Sequence, residues 1–164
     1  GLAESNWLYI HPIMIKMRCT DSGEAMRSQG LTCLCGNMRM ATRSISAIYD
    51  RQLRPLGLRT SQLAVLWGVY GTEPVTASEL ATTMAIDKTT LARALRVLEE
   101  NELISMVPGR DRRERRAALT RKGRAKFDDA MPLWRAAQDE VRATVGEGNF
   151  NALVAISVET TRAL

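Results

Sequence analysis

Thr76-Ala-Ser-Glu-Leu-Ala-Thr-Thr-Met84, then Ala85-Ile86-Asp87, then Lys88-Thr89-Thr90-Leu91-Ala92-Arg93-Ala94-Leu95-Arg96-Val97-Leu98, is the stretch that decides the fold of this 164-residue chain. Its first part reads as a short helix. Thr76 stands at a cap position with Glu79 three residues on, the spacing of a capping box. Leu80, Ala81 and Met84 fall on one face. Ala85-Ile86-Asp87 breaks that pattern, and Asp87 caps a second helix from Lys88 to Asn101. On this helix Leu91, Ala94, Leu95 and Leu98 share one side, and Thr89, Arg93 and Arg96 share the other. Two short helices with a tight turn, the second apolar inside and Thr/Arg outside, read as helix-turn-helix.

The residues that follow read as a wing. Leu103-Ile104-Ser105-Met106-Val107 suits a strand and Arg115-Arg116-Ala117-Ala118-Leu119 its return partner. Between them Pro108-Gly-Arg-Asp-Arg-Arg-Glu114 is a turn rich in arginine. A helix fits the major groove, and arginines at a hairpin tip reach phosphates or a narrow minor groove. A solvated loop would carry the same arginines, and any exposed helix face the same Thr89 and Arg93. Their order along the chain is what selects DNA binding. The expected contacts are Lys88, Thr89, Thr90, Arg93 and Arg96 on the helix and Arg110, Arg112 and Arg113 on the wing.

From Cys33 to the C-terminus the chain resembles the MarR family of winged-helix bacterial regulators. The matching stretches are Leu80-Ala81, Thr89-Thr90-Leu91-Ala92-Arg93, Leu98-Glu99-Glu100, the wing Asp111 and Arg113, and Leu119-Thr120-Arg121-Lys122-Gly123. Two positions depart from the family pattern: Glu102 stands where Gly is usual and Met106 where Arg is usual. The first leaves the helix end to Asn101, a residue that tolerates left-handed geometry. The resemblance implies a mainly α protein with a small β-hairpin wing. In it a winged helix-turn-helix is carried on long helices that form a dimerisation domain, with an Asp111–Arg113 salt bridge in the wing.

The rest of the chain is consistent with this. Lys and Arg total 23 against 18 Asp and Glu, a formal charge of +5. The excess is local: Arg110, Arg112, Arg113, Arg115, Arg116, Arg121, Lys122, Arg124 and Lys126 face only Asp111 and Glu114 within that window. Such a block suits a polyanion, and its place on a hairpin favours nucleic acid over a membrane surface. No apolar run approaches the ~20 residues of a membrane span, and no secretory signal is evident. Three cysteines argue against a disulfide framework, so a cytoplasmic protein is expected.

Residues 1–30 read as an N-terminal arm, apolar from Trp7 to Met17 and interrupted by Pro12; Met26 is a candidate start, and the arm is otherwise a candidate to pack on a partner subunit. Residues 31–58 and 120–164 read as a helical dimerisation region and 59–119 as the DNA-binding lobe. The first long helix, Cys33 to Leu53, repeats Leu34, Met38, Ala41, Ile45 and Ile48, and Pro55 and Gly57 end it. Thr60 or Ser61 caps the next, which Gly71 closes; Val75 forms a minimal strand against the wing. Thr120 caps a long helix to Val145 with Phe127, Met131, Trp134, Val141 and Val145 at near-heptad spacing and Pro132 as a kink. Gly146 and Gly148 break it, and Phe150 to Leu164 forms the last helix. These stripes exceed what one winged helix covers, so a homodimer binding an inverted repeat is expected.

The candidates for chemistry are few. The resemblance implies a small-molecule pocket where dimer helices meet the DNA-binding lobe, with Met38, Tyr49, Trp67, Tyr70 and Trp134 as lining and arginines at the rim, fit for an aromatic or anionic effector. Ordinary core packing accounts for the same residues. Peroxide-sensing members of the family carry a cysteine near the start of the first helix, which falls here at Cys35, with Cys33 beside it. A helix start favours the thiolate. Tyr49 matches one of the tyrosines those sensors use, whereas Arg39 and Thr60 stand at the others; a buried, inert thiol is the plainer alternative. His11, Cys19, Cys33 and Cys35 match no zinc spacing, so neither metal nor cofactor is expected. With His11 the only histidine and no phosphate loop, an enzyme has no support. The expectation is a DNA-binding transcriptional repressor, a homodimer released by a small aromatic or anionic effector. The alternatives are an oxidant sensor acting through Cys35 and a non-specific architectural DNA binder.

Overall fold

The structure, a computed structural model, describes residues 33–109, 111 and 114–163. The chain divides into two units, Gly1–Thr42 and Arg43–Leu164, and the boundary falls within the first helix. The N-terminal arm, including His11 and Cys19, lies outside the described residues.

The order of elements is α1 (Leu34–Leu53), a 3-10 turn (Arg54–Leu56), α2 (Thr60–Thr72), β1 (Val75–Thr76), α3 (Ala77–Thr83), α4 (Lys88–Glu100), β2 (Ile104–Pro108), β3 (Arg115–Leu119), α5 (Arg121–Val145) and α6 (Glu147–Ala163). The protein is thus mainly helical with a three-stranded antiparallel sheet in the order β1-β3-β2. Val75 pairs with Ala117 and Thr76 with Arg116, so β1 does lie against the wing. Ile104 faces Leu119 at the base of the hairpin and Pro108 faces Arg115 near its tip.

One core sits under the DNA-binding lobe. Leu53, Leu66, Val69, Leu80, Leu91, Leu98, Ile104 and Ala117 are buried in it, with Phe127 and Ala130 contributed by α5. The stripe seen in the sequence of α4 is the reason: Leu91, Leu95 and Leu98 go inward, and burying each contributes about 1.5–3 kcal/mol. Trp67 of α2 packs edge-on against Phe127 and Trp134, with centroids 5.6 and 5.2 Å apart.

Several local expectations need correction. Gly71 does not close α2, which runs to Thr72. Neither Thr60 nor Ser61 caps it: Thr60 is its first residue, and its backbone N–H and hydroxyl both donate to Asp50 Oδ1 at 2.7 Å. Gly148 does not break the chain between helices but lies within the first turn of α6, while Pro132 sits inside α5. The left-handed residue after α4 is Glu102, with φ of 58°, whereas Asn101 stays at φ −86°. Glu102 N–H then reaches the carbonyl of Glu99 at 2.9 Å, so hydrogen bonding holds the usual glycine geometry without glycine.

Candidate nucleic-acid interface

The helix-turn-helix is built by local chemistry. Thr76 and Glu79 form the capping box: Glu79 N–H donates to Thr76 Oγ1, and the Thr76 N–H and hydroxyl donate to Glu79 Oε2 at 2.8 Å. These bonds hold the Glu79 carboxyl below its usual range. The turn passes through Ala85 at φ 50°, and Ile86 N–H closes it on the Ala81 carbonyl at 3.0 Å. Asp87 then caps α4, its Oδ1 accepting from Thr90 N–H at 2.9 Å, which likewise lowers its pKa.

With Leu91, Leu95 and Leu98 held in the core, α4 turns Lys88, Thr89, Thr90 and Arg93 to solvent. Among the described residues Lys88 and Arg93 carry no ion pair. Arg96 differs: its Nε is 2.8 Å from Glu100 one turn on. Arg110, Arg112 and Arg113, and with them the Asp111–Arg113 salt bridge, lie outside the described residues. Asp111 is exposed, and its carbonyl accepts from Glu114 N–H at 2.9 Å.

The basic block is far less free than its sequence suggests. Lys122 pairs with Glu102 at 2.9 Å, which lowers the Glu102 pKa. Arg124 pairs with Glu73, and Lys126 donates to the Leu56 carbonyl at 3.1 Å. Arg115 donates to the Met106 carbonyl at 3.0 Å, and Arg116 is bound to Glu114, Pro74 and Glu79. Glu73, Glu79 and Glu102 are distant in sequence from the cations they neutralise, so a window of local charge misses them.

Beside α2 a cavity of about 390 Å³ is lined by Tyr49, Thr60, Leu63, Ala64, Trp67, Gly68 and Trp134. Three of the five expected lining residues are there. Tyr70 is not: its ring stacks on Phe127 at 4.7 Å. Met38 belongs to the other unit, and no arginine is among the residues that line the cavity. Burial pushes the Tyr49 phenol pKa up, with Arg142 opposing. Cys33 and Cys35 are exposed free thiols, against the expectation of an inert buried one. Cys33 precedes α1, and its Sγ accepts from Gly36 N–H at 3.4 Å. Among the described residues no group could hold a metal ion, and no helix is long and apolar enough to cross a membrane.

A family model described as a winged helix DNA-binding domain matches residues 58–123. The transcriptional regulator MosR of M. tuberculosis is 36% identical, with 81% of this chain and 98% of MosR covered and a TM-score of 0.68. The same protein solved with DNA is 38% identical over 79% of this chain and 98% of its own, with a TM-score of 0.66. This chain belongs to the MarR family. MarR of E. coli with operator DNA shares the fold at 20% identity and a TM-score of 0.72, covering 79% of this chain and 94% of that one. CouR of Rhodococcus jostii RHA1 does so at 23% identity; its complex with p-coumaroyl-CoA has a TM-score of 0.67 and covers 79% and 92%.

As a member of this family the protein is a DNA-binding transcriptional regulator, and not an enzyme. The regulator's α4 is the recognition helix and its β2–β3 hairpin the wing. What sequence reading missed is the set of acidic residues behind the interface. Glu73 carries no motif of its own and Glu79 reads in the sequence only as a helix cap; the antiparallel pairing of β1 with β3 brings them to Arg124 and Arg116, and Glu114, two residues from Arg116 in the chain, joins the same guanidinium.

Proposed function

We propose that this regulator represses transcription by binding an inverted-repeat operator as a homodimer and is released by a small aromatic effector. The observation that carries the reading is α4: Lys88, Thr89, Thr90 and Arg93 face solvent from a helix whose other side is sunk in the core. A recognition helix of this kind reads base edges from the major groove. Homodimerisation is supported by α6, where Leu153, Val154, Ile156 and Val158 are all exposed on a single chain. An apolar face of that extent needs a cover. The effector is supported by the cavity between Tyr49, Leu63, Trp67 and Trp134, whose walls suit a flat aromatic group with a hydroxyl to meet Tyr49 or Thr60. CouR, of the same fold, is described bound to p-coumaroyl-CoA.

Selection from random duplexes tests the operator. An enriched inverted repeat with half-sites about one helical turn apart is expected; enrichment of no sequence would leave an architectural binder. Release is tested on the selected operator with a panel of hydroxylated aromatics, read by anisotropy and by quenching of Trp67 and Trp134. No release by any of them removes the effector reading.

Exposure of both thiols favours a second reading, oxidant sensing. Peroxide converts the Cys35 thiol to a sulfenic acid with loss of water, and a second thiol, Cys33 or Cys19, then forms the disulfide with loss of another. Operator binding by wild type, Cys35→Ser and Cys33→Ser before and after mild peroxide separates the readings. Full affinity of oxidised wild type would discard this one.

A further inference from the structure

We propose that Arg116 is a positioning residue that braces the neck of the wing against the first helix of the helix-turn-helix, and so sets the angle between wing and recognition helix on DNA. The sequence places Arg116 in the basic block, where it reads as one more free cation. Its guanidinium is used otherwise. One terminal nitrogen, Nη2, donates to Glu114 Oε1 at 2.7 Å, at the point where β3 leaves the wing tip. The other, Nη1, donates to the Pro74 carbonyl at 3.0 Å and lies 3.5 Å from Glu79 Oε2. Glu79 is the carboxylate that caps α3, and Thr76, its capping partner, pairs directly with Arg116 in the sheet. One side chain therefore ties wing neck, strand β1 and the start of α3 together.

The neck is shaped for this. A β carbon on Gly109 would come within 2.5 Å of Glu114 Oε2 and 2.8 Å of its Cγ, so a larger residue there would push the Glu114 side chain from the position in which it lies toward Arg116. The Arg116 side chain is only 22% exposed, too covered to make its fork available to a phosphate while it holds these acceptors. A planar fork that bridges separate acceptors is a property of arginine that lysine lacks. A hairpin pinned only at its base swings at its tip, and a wing contact several ångströms from that pivot is lost by a small rotation. The brace removes that freedom before DNA arrives.

The test uses the full-length regulator, a duplex selected as above, and the variants Arg116→Gln, Arg116→Lys and Gly109→Ala. Operator affinity is expected to fall about tenfold for both Arg116 variants, and by a smaller factor for Gly109→Ala, which changes no charge. The slope of log affinity against log salt should stay within error of wild type. Hydroxyl-radical protection should fade at the wing positions and persist at the centre of each half-site. In the DNA-free protein, amide exchange should speed up in residues 104–108 and 115–119 and not in α4, a readout that stands whether or not an inverted repeat is found. Rescue by Arg116→Lys with a slope reduced by about 0.9 in Arg116→Gln would make Arg116 a phosphate contact and overturn the proposal. Uniform loss of protection and faster exchange throughout would make its role one of general stability, and unchanged affinity in all variants would leave it no role; either also overturns it.

Discussion

The backbone of Gly123, one turn into α5, lies directly against the carbonyl oxygen of Leu103, so that a β carbon at Gly123 would overlap that oxygen. The same carbonyl accepts the Thr120 N–H at 3.1 Å, and Thr120 in turn caps α5 by accepting from Gly123 N–H at 2.9 Å. The start of the wing and the start of the long helix are locked through this one contact. Gly123→Ala should therefore be costly. Overpacking in a core costs about 1–3 kcal/mol, and here the obstacle is backbone, which yields less than a side chain. Denaturant unfolding should show a loss at the upper end of that range; a loss under about 0.5 kcal/mol would mean that the junction relaxes freely.

Two residues sit in the left-handed region without being glycine, Ala85 in the helix-turn-helix turn and Glu102 after α4. A β carbon is disfavoured there. Ala85→Gly and Glu102→Gly should each raise Tm, by roughly 2–4 °C. Glu102→Gly also removes the exposed pair with Lys122, so Lys122→Ala serves as its control. A lower Tm for Ala85→Gly would show that chain entropy outweighs strain at that turn.

Acid should unfold the regulator through carboxylates that are held charged. Hydrogen bonds from the Thr76 backbone and side chain depress Glu79, the Thr90 side chain and backbone depress Asp87, Lys122 depresses Glu102, and Arg51 with Gln52 depresses Glu140. With folded pKa values lowered, the unfolded chain takes up protons first as pH falls. The stabilisation is present above the ordinary values of 4.5 for Glu and 3.8 for Asp, and is lost below them. Thermal midpoints should hold from pH 7 to 5 and fall from 4.5 to 3.5. Asp87→Asn keeps a capping oxygen but not the charge, so its fall should be shallower. A flat profile down to pH 3.5 would contradict the assignment.

Ile156 on α6 is 56% exposed and its neighbours Leu153 and Val154 are also open. If a second copy covers this face, Ile156→Glu buries an unpaired charge in the dimer and none in the monomer. Sedimentation should then give a folded monomer with operator affinity lost, whereas wild type sediments as a dimer at micromolar concentration. A wild-type monomer would remove the dimer from the proposed function.

Arg93 and Arg96 lie on the same outer side of α4, yet Arg96 is paired with Glu100 and Arg93 has no ion pair among the described residues. Arg93→Ala should cost about 1–3 kcal/mol and relax preference at one operator position. Arg96→Ala should weaken binding less and equally across sequences. The reverse order, read from affinities for single-base operator variants, would transfer the base-reading role to Arg96.

Short-range features were legible because the chemistry that makes them is local. The capping box of Thr76 and Glu79, the Asp87 cap, the buried stripe of Leu91, Leu95 and Leu98 and the hairpin return at Arg115 each need only neighbours a few residues apart. Helix ends were less so. Thr60 was expected to cap α2, but Asp50, ten residues back on another helix, takes its N–H and hydroxyl. At Glu102 the side chain itself does not announce a left-handed backbone, although glycine is usual at that position in the family; the bond to Glu99 and the turn into β2 impose it.

By itself, then, the sequence determined the winged helix-turn-helix and the face of α4 turned to solvent, because periodicity and capping act within a turn or two of the chain. Tertiary structure alone decided which cations remain for DNA. Arg116, Lys122 and Arg124 read as free charges in the chain, but folding sets Glu79, Glu102 and Glu73 against them. It likewise decided that Tyr70 stacks on Phe127 while Tyr49 faces the cavity. Charge and ring partners are chosen by distance in space, and the pairing of β1 with β3 and of α2 with α5 joins residues some forty to sixty positions apart, which no local pattern encodes.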